Sequence, residues 1–289
     1  MDILRYTAFS SDPAGGNPAG VVLDARGADD AAMLAAAAEV GYSETAFLLP
    51  TERERVMDVR YFSPLAEVPF CGHATIATAV AYAKRYGTGD LTLNTRAGTV
   101  PVHTAETAAT AADGTAIAAG TLTATLVSVP PKSEELPGPV LGELLSILGW
   151  TASDLHAALP PRIAFGGAWH PILATPSRAR LAELDYDMDE LRALMLRHDW
   201  TTIDLVWRES PDVFQVRNPF PVGGVFEDPA TGAAAAAFGG YLRELGAVPV
   251  PATVTVHQGV DMGRPSLLTV GIPAGEGGIS VSGTAVALA

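Results

Sequence analysis

Two segments of this 289-residue chain run apolar nearly all the way round a helix: Ala74-Thr75-Ile76-Ala77-Thr78-Ala79-Val80-Ala81 and Ala233-Ala234-Ala235-Ala236-Ala237-Phe238-Gly239-Gly240-Tyr241. A helix without a polar face belongs inside a protein. Its small side chains suit it to the space within a curled sheet. The two segments also resemble each other. Each follows a Pro-containing turn, and His73, Tyr82 and Gly87 have the same mutual spacing as Gly232, Tyr241 and Gly246. The expected fold is mixed α/β with two similar halves, each a β-barrel-like sheet wrapped around a central buried helix. Pro130-Pro131, the charged Lys132–Glu135 and Pro137-Gly138-Pro139 read as a connection, so the halves are expected at 1–129 and 130–289.

The remaining punctuation agrees with a strand-rich chain. Gly and Pro, 29 and 22 in number, separate short β-branched runs at 99–102, 121–129 and 252–257. Further helices are expected at 31–40, after Asp29-Asp30 and closed by Gly41, and at 188–198 after Asp187. The central helices should run 74–86 and 233–245, closed by Gly87 and Gly246. Residues 105–120, rich in Ala and Thr around Asp113-Gly114, read as an exposed hairpin or floppy loop.

Composition removes several function classes. Eighteen Lys and Arg against 32 Asp and Glu leave a formal charge of −14, which repels nucleic acid. No apolar stretch approaches the roughly 20 residues of a membrane-spanning helix, so no membrane partner is expected. The start, Met1-Asp2-Ile3-Leu4-Arg5-Tyr6, does not read as a secretory signal, and a cytoplasmic location is expected. One cysteine, Cys71, excludes an intrachain disulfide and a cysteine-rich zinc site. The two lysines, Lys84 and Lys132, are poorly placed for a Schiff base, so pyridoxal phosphate is not expected. Gly-x-Ser-x-Gly, phosphate-loop and His-Glu-x2-His motifs are missing, and six histidines are scattered singly, so no metal is expected.

Chemistry is sought where the central helices begin. Each helix N-terminus presents unpaired N–H groups and partial positive charge, a seat for a substrate carboxylate. Gly72 and Gly232 let backbone approach such a ligand, or merely turn the chain into its helix. Glu44, in Ser43-Glu44-Thr45-Ala46-Phe47, stands at the start of an apolar strand, where partial burial can tune a carboxylate for proton transfer; it also fits a solvated capping residue. His73 could orient or protonate a substrate oxygen, or be structural. Asp228, before Pro229, could accept a proton or hold His73, or serve the turn. Cys71 reads either as a reactive thiolate at a helix start or as an inert buried thiol.

These motifs, taken in order, resemble the phenazine-biosynthesis isomerase-like (PhzF) family, which shares the diaminopimelate epimerase fold. The matching segments are Phe9 with Gly16-Asn17-Pro18-Ala19-Gly20-Val21, the Glu44 motif, Arg60-Tyr61-Phe62-Ser63-Pro64 through Glu67-Val68-Pro69-Phe70 to Cys71-Gly72-His73-Ala74-Thr75, Glu227-Asp228-Pro229-Ala230-Thr231-Gly232, and Gln258-Gly259 with Met262-Gly263-Arg264-Pro265. The resemblance implies a homodimer with its active site in the cleft between two α/β halves. It also implies a cofactor-independent isomerase that moves a proton, and with it a double bond, in a small unsaturated carboxylic acid. Glu44 matches the acid/base, His73 and Asp228 the assisting residues. Asn17 and backbone at Gly72, Gly232 and Ala233 match substrate-binding positions. Two departures stand out: Ala233 replaces a frequent Ser, which puts dihydrohydroxyanthranilate in doubt as substrate, and Arg217-Asn218-Pro219-Phe220-Pro221 departs from the usual Arg-x-Phe. A two-thiol racemase is excluded, since Pro229 stands at the second thiol position. Epimerisation by other groups, or ligand binding without catalysis, remain the alternatives.

Overall fold

The computed structural model describes residues 1–106 and 120–289. The loop expected over 105–120 thus lies, apart from its ends, outside the described residues. The chain divides into two compact units, Met1–Val127 with Ser282–Ala289 and Ser128–Val281. The return of the last residues to the first unit is a discontinuity that a linear division at 129/130 does not contain.

The first unit is a closed barrel. Its strands are β1 (Leu4–Ala8), β2 (Asn17–Val22), β3 (Glu44–Pro50), β4 (Val56–Phe62), the two-residue β5 (Glu67–Val68), β6 (Gly89–Thr95), β7 (Gly98–Glu106), β8 (Leu122–Val127) and the C-terminal β17 (Ser280–Ala287). Pairing runs β1-β2-β3-β4-β6-β7-β8-β17 and back to β1, which leaves none of these eight strands with a free edge. β5 pairs only briefly, with the end of β4. The parallel pairs β2–β3 and β4–β6 need crossovers, which α1 (Asp30–Val40) and α2 (Gly72–Tyr86) supply. α1 lies against one side of the sheet through Met33, Ala36 and Ala37, which meet Val22, Phe47 and Phe62. α2 packs on β1, β2, β3, β7 and β8, and every residue from His73 to Ala83 is buried. Enclosure on all sides is what its lack of a polar face demanded.

The second unit repeats the scheme with more decoration. β9 (Lys132–Glu135), β10 (Arg162–Phe165), β11 (Trp169–Thr175), β12 (Asp204–Arg208), β13 (Val213–Pro219), β15 (Ala252–Gln258) and β16 (Ser266–Ile272) pair in that order, and the two-residue β14 (Glu227–Asp228) joins β13. The central helix α6 (Gly232–Glu244) packs on β9, β10, β11 and β16. Gly166, in the turn after β10, rests on it so closely that a Cβ would lie 2.5 Å from Ala237 N and 2.8 Å from Ala233 O. Helices α3 (Gly138–Ile147), α4 (Arg178–Ala182) and α5 (Met188–Arg197) share a separate core of Leu144, Leu148, Leu181, Leu191, Met195 and Trp200.

Where structure and expectation differ, the reasons are local. The supposed connection over Pro130–Pro139 contains β9 and the start of α3, with Pro137 at the helix N-cap. β9 is mostly exposed and carries no apolar alternation, so its pairing with β10 leaves little trace in its own sequence. Gly72 and Gly232 both open their helices, so the starts of α2 and α6 coincide when those glycines are matched. The tyrosine spacing that paired His73 with Gly232 is out of step by one residue.

Each central helix is preceded by the same electrostatic device. Arg60 on β4 forks onto Glu67 of β5, with Nε and Nη2 donating to the two carboxylate oxygens at 2.8 and 2.7 Å. Arg217 on β13 forks onto Glu227 of β14 at 3.1 and 2.5 Å. In both, the arginine lies two residues before the one that pairs with the glutamate, Phe62 with Glu67 and Pro219 with Glu227. The second pair is the more buried, at 9% and 3% side-chain exposure against 25% and 11%. Removing one partner of a buried pair strands the other charge in low dielectric. Arg217→Ala should therefore lower unfolding free energy by about 3–5 kcal/mol in urea titrations, and Arg60→Ala by only about 1 kcal/mol. Equal losses would show that burial does not set the cost.

A second buried polar group bears on pH. His170 Nδ1 lies 2.8 Å from Thr202 Oγ1, which donates to Asn218 Oδ1 at 2.6 Å, and Asn218 Nδ2 donates to Asp204 Oδ1 at 2.9 Å. Burial pushes the Asp204 carboxyl up to about 7 and His170 down to about 3, so both are neutral between those two values. An unfolded aspartate ionises near pH 4. Between there and about 7 the unfolded state binds fewer protons, so this group makes stability fall as pH rises through that window and level off above it. The melting temperature of Asp204→Asn relative to the parent should accordingly be more favourable at pH 8 than at pH 5; a difference independent of pH would contradict this.

Candidate active site

Four side chains of the first unit converge where β3 and α2 begin. β3 opens on Glu44, whose register partner in the parallel pairing is Ala19 of β2. Cys71 is the N-cap residue of α2, and His73 lies in its first turn. Glu44 Oε2 lies 3.4 Å from His73 Nε2 and accepts from Cys71 Sγ at 3.5 Å. Cys71 Sγ lies 3.4 and 3.8 Å from His73 Nδ1 and Nε2, and Ser43 Oγ lies 3.3 Å from Nε2. Cys71 and His73 are buried, whereas the Glu44 side chain keeps 15% of its surface. Burial pushes the His73 imidazole below its ordinary value, partly offset by the Glu44 charge, so the ring is neutral at pH 7. The base of the cluster is braced: Tyr61 Oη and Thr75 Oγ1 lie 2.7 Å apart, and Thr75 Oγ1 donates to Cys71 O at 2.7 Å. Asn17, buried at the start of β2, shares a strand face with Ala19 two residues on.

The corresponding position of the second unit has its own cluster. Asp228, buried in β14, accepts from Thr231 Oγ1 at 2.5 Å. Gln258, at the end of β15, ties the segment together. Its Nε2 donates to Asp228 O at 2.8 Å and Thr231 Oγ1 at 3.0 Å, and its Oε1 accepts from Thr231 N at 3.1 Å. The next residue, Gly259, has φ +74°, and a Cβ there would meet Arg264 O at 2.4 Å and Pro229 O at 2.8 Å, so only glycine permits this approach. Gly232 is buried at the start of α6 and Ala233 half-buried beside it.

The helix starts differ in one respect from those of α1, α4 and α5, whose first-turn N–H groups are satisfied by the side chains of Asp29, Ser177 and Asp187. Neither Cys71 nor Thr231 caps its helix through its side chain. The first-turn N–H groups of the central helices, like those of α3, thus lack a side-chain cap.

The sequence family matches this architecture. A family model described as phenazine biosynthesis-like protein covers residues 6–289. The chain belongs to that family. An Escherichia coli K12 relative, "Uncharacterized isomerase YddE", is 30% identical over 99% of this chain and 96% of its own. The trans-2,3-dihydro-3-hydroxyanthranilate isomerase of Pseudomonas aeruginosa is 31% identical over 98% and 95%. A crystal structure of a PhzF-family phenazine biosynthesis protein from Bacillus anthracis superposes with TM-score 0.83 at 26% identity, covering 100% and 98% of the two chains. The protein is thus an isomerase-type enzyme on the two-unit epimerase-like fold. Among its described residues, no helix is long and apolar enough to cross a membrane.

Two features of this isomerase were not foreseen from sequence. Glu44, Cys71 and His73 gather three potential metal donors within 4.8 Å, although the scattered histidines gave no support for a metal site. Gln258 organises the approach to α6, and a signal for it existed: strand alternation places Gln258 on the face of Val254 and Val256, a polar group on an apolar face. Removing it leaves Asp228 O and the Thr231 N–H without these partners. Gln258→Leu should cost about 1–3 kcal/mol in chemical denaturation; a neutral effect would mean that Gln258 does not hold the segment.

Proposed function

We propose that this isomerase moves a proton between two carbons of a small unsaturated carboxylic acid, without an organic cofactor or catalytic metal, and that Glu44 is the acid/base. The observation that carries the reading is the placement of Glu44: a carboxylate with part of its surface open, held beside a buried neutral imidazole. A carboxylate so placed can take a proton from an activated carbon and return it elsewhere. His73, with Ser43 Oγ at 3.3 Å, steadies Glu44 and donates to a developing oxyanion. The resemblance assigns Asp228 an assisting role and Asn17, Gly72, Gly232 and Ala233 to the grip on substrate. First-turn donors not capped by a side chain, at both central helices, support that grip on a carboxylate.

A relative acts, by its name, on trans-2,3-dihydro-3-hydroxyanthranilate. Ala233 lacks the hydroxyl that the family often carries after Thr231-Gly232, so our reading gives this enzyme a different, less polar acid. It works in the cytoplasm as a homodimer, the assembly the resemblance implies. The test is a screen of cyclic and dienyl carboxylic acids in deuterated buffer. Enzyme should place deuterium on carbon in at least one of them, and Glu44→Gln should slow incorporation about 10²–10⁴-fold. Equal incorporation by both proteins removes Glu44 as the base. Acids that bind without exchange would instead favour a binding protein.

A further inference from the structure

We infer that Glu44, Cys71 and His73 form a three-donor site for a thiophilic divalent cation, Zn2+ above all, and that metal occupancy and proton transfer exclude one another there. The binding claim stands on geometry alone; its consequence for activity rests on the assignment of Glu44 as base. Zinc bound tetrahedrally by sulfur at about 2.3 Å and by nitrogen or oxygen at about 2.0–2.2 Å sets ligand–ligand edges of about 3.5 Å to sulfur and about 3.4 Å between nitrogen and oxygen. The three edges present are 3.5 Å from Cys71 Sγ to Glu44 Oε2, 3.4 Å from Oε2 to His73 Nε2, and 3.8 Å from Sγ to Nε2. By separation these three atoms match one face of a zinc tetrahedron, but Sγ lies nearer Nδ1, at 3.4 Å, than Nε2, so binding also turns the His73 ring to aim the Nε2 lone pair at the ion.

Chemistry selects the same ion. A thiolate, an imidazole and a carboxylate make a mixed soft and borderline set that favours zinc over magnesium or calcium, which prefer all-oxygen shells. Three protein ligands leave the fourth position to water or to a carboxylate. Binding breaks the Cys71 S–H bond and forms a Zn–S bond, with the proton released to solvent, so no oxidant or reductant is involved. The Glu44 Oε2 lone pair that would receive a substrate proton is then committed to the metal, and the enzyme is held inactive until the ion leaves.

The site is supported by its surroundings. Tyr61 and Thr75 hold the Cys71 carbonyl, which fixes the backbone carrying the sulfur, and α2 and β3 are rigid carriers for His73 and Glu44. Cys71 is the chain's single cysteine, so a thiolate signature in a metal complex reports this place alone.

The experiment titrates metal-free, full-length enzyme with Zn2+ by calorimetry, and separately with Co2+ by absorption spectroscopy, without substrate. One ion per chain should bind, with a thiolate-to-cobalt charge-transfer band, and Cys71→Ser, Cys71→Ala and His73→Asn should each weaken binding at least tenfold, roughly the smallest effect expected even of a supporting residue. Circular dichroism establishes that each variant is folded. In the exchange assay Zn2+ should suppress the parent enzyme, a chelator should restore it, and the half-inhibiting Zn2+ concentration should rise at least about tenfold in Cys71→Ser, relative to that variant's own metal-free rate. No saturable binding, no thiolate band, or unchanged affinity in the folded cysteine variants would overturn the site. If Zn2+ binds as described while Glu44→Gln still exchanges deuterium, the base assignment fails and the metal site stands. If Glu44→Gln is inactive and Zn2+ does not bind, the reverse holds.

Discussion

The structure depends on the desolvation of two helices. α2 and α6 offer water no polar face, so each can exist only if strands cover it in all directions. Backbone hydrogen bonds satisfy the helix interior, and sheet pairing does the same for the covering strands. The helix ends are the remaining difficulty. Four N–H groups at each N-terminus have no partner within the helix, and a fully enclosed start would leave them costly. A buried central helix thus needs a place where its N-terminus reaches polar company. In both units that place lies beside a two-residue strand, β5 or β14, and polar side chains collect there.

The arginine–glutamate forks make this arrangement repeatable. Glu67 and Glu227 belong to strands too short to hold their own position by pairing, and Arg60 and Arg217 fix them to long neighbours, β4 and β13. A fork with two parallel hydrogen bonds restricts orientation as well as distance. Once Glu67 is set, four residues lead to Cys71; once Glu227 is set, four lead to Thr231. Both helices then start in register with their barrels. A buried ion pair adds little net stability over apolar packing, so the forks are better understood as setting geometry than as strengthening the core.

Much of this was legible in the sequence, because the strongest constraint is also a compositional one. An Ala-rich segment with no polar face announces burial directly, and Asp29, Asp187, Gly41 and Gly87 mark helix ends through local chemistry. Glu44 and His73 were legible by motif, and the structure brings them together across 29 residues of chain. What was not legible depends on partners distant in sequence. β9 is a strand because β10 lies beside it, and its Lys-Ser-Glu-Glu carries no pattern of its own. β17 closes the first barrel from the far end of the chain, which no local signal reveals. The helix-start cluster escaped for a related reason: Cys71 and His73 are neighbours in sequence, but their meeting with Ser43 and Glu44 follows from the barrel's register.

The proximity that suits proton transfer has a chemical consequence of its own. In its proposed role Glu44 passes a proton, and His73 and Cys71 lie 3.4 and 3.5 Å from its Oε2. The same three side chains each offer a lone pair to a thiophilic ion once the thiol has lost its proton and the ring has turned. A serine in place of Cys71 would preserve much of the shape while removing the soft ligand. On the proposed metal site, the thiol therefore changes what the cluster binds more than it changes its form.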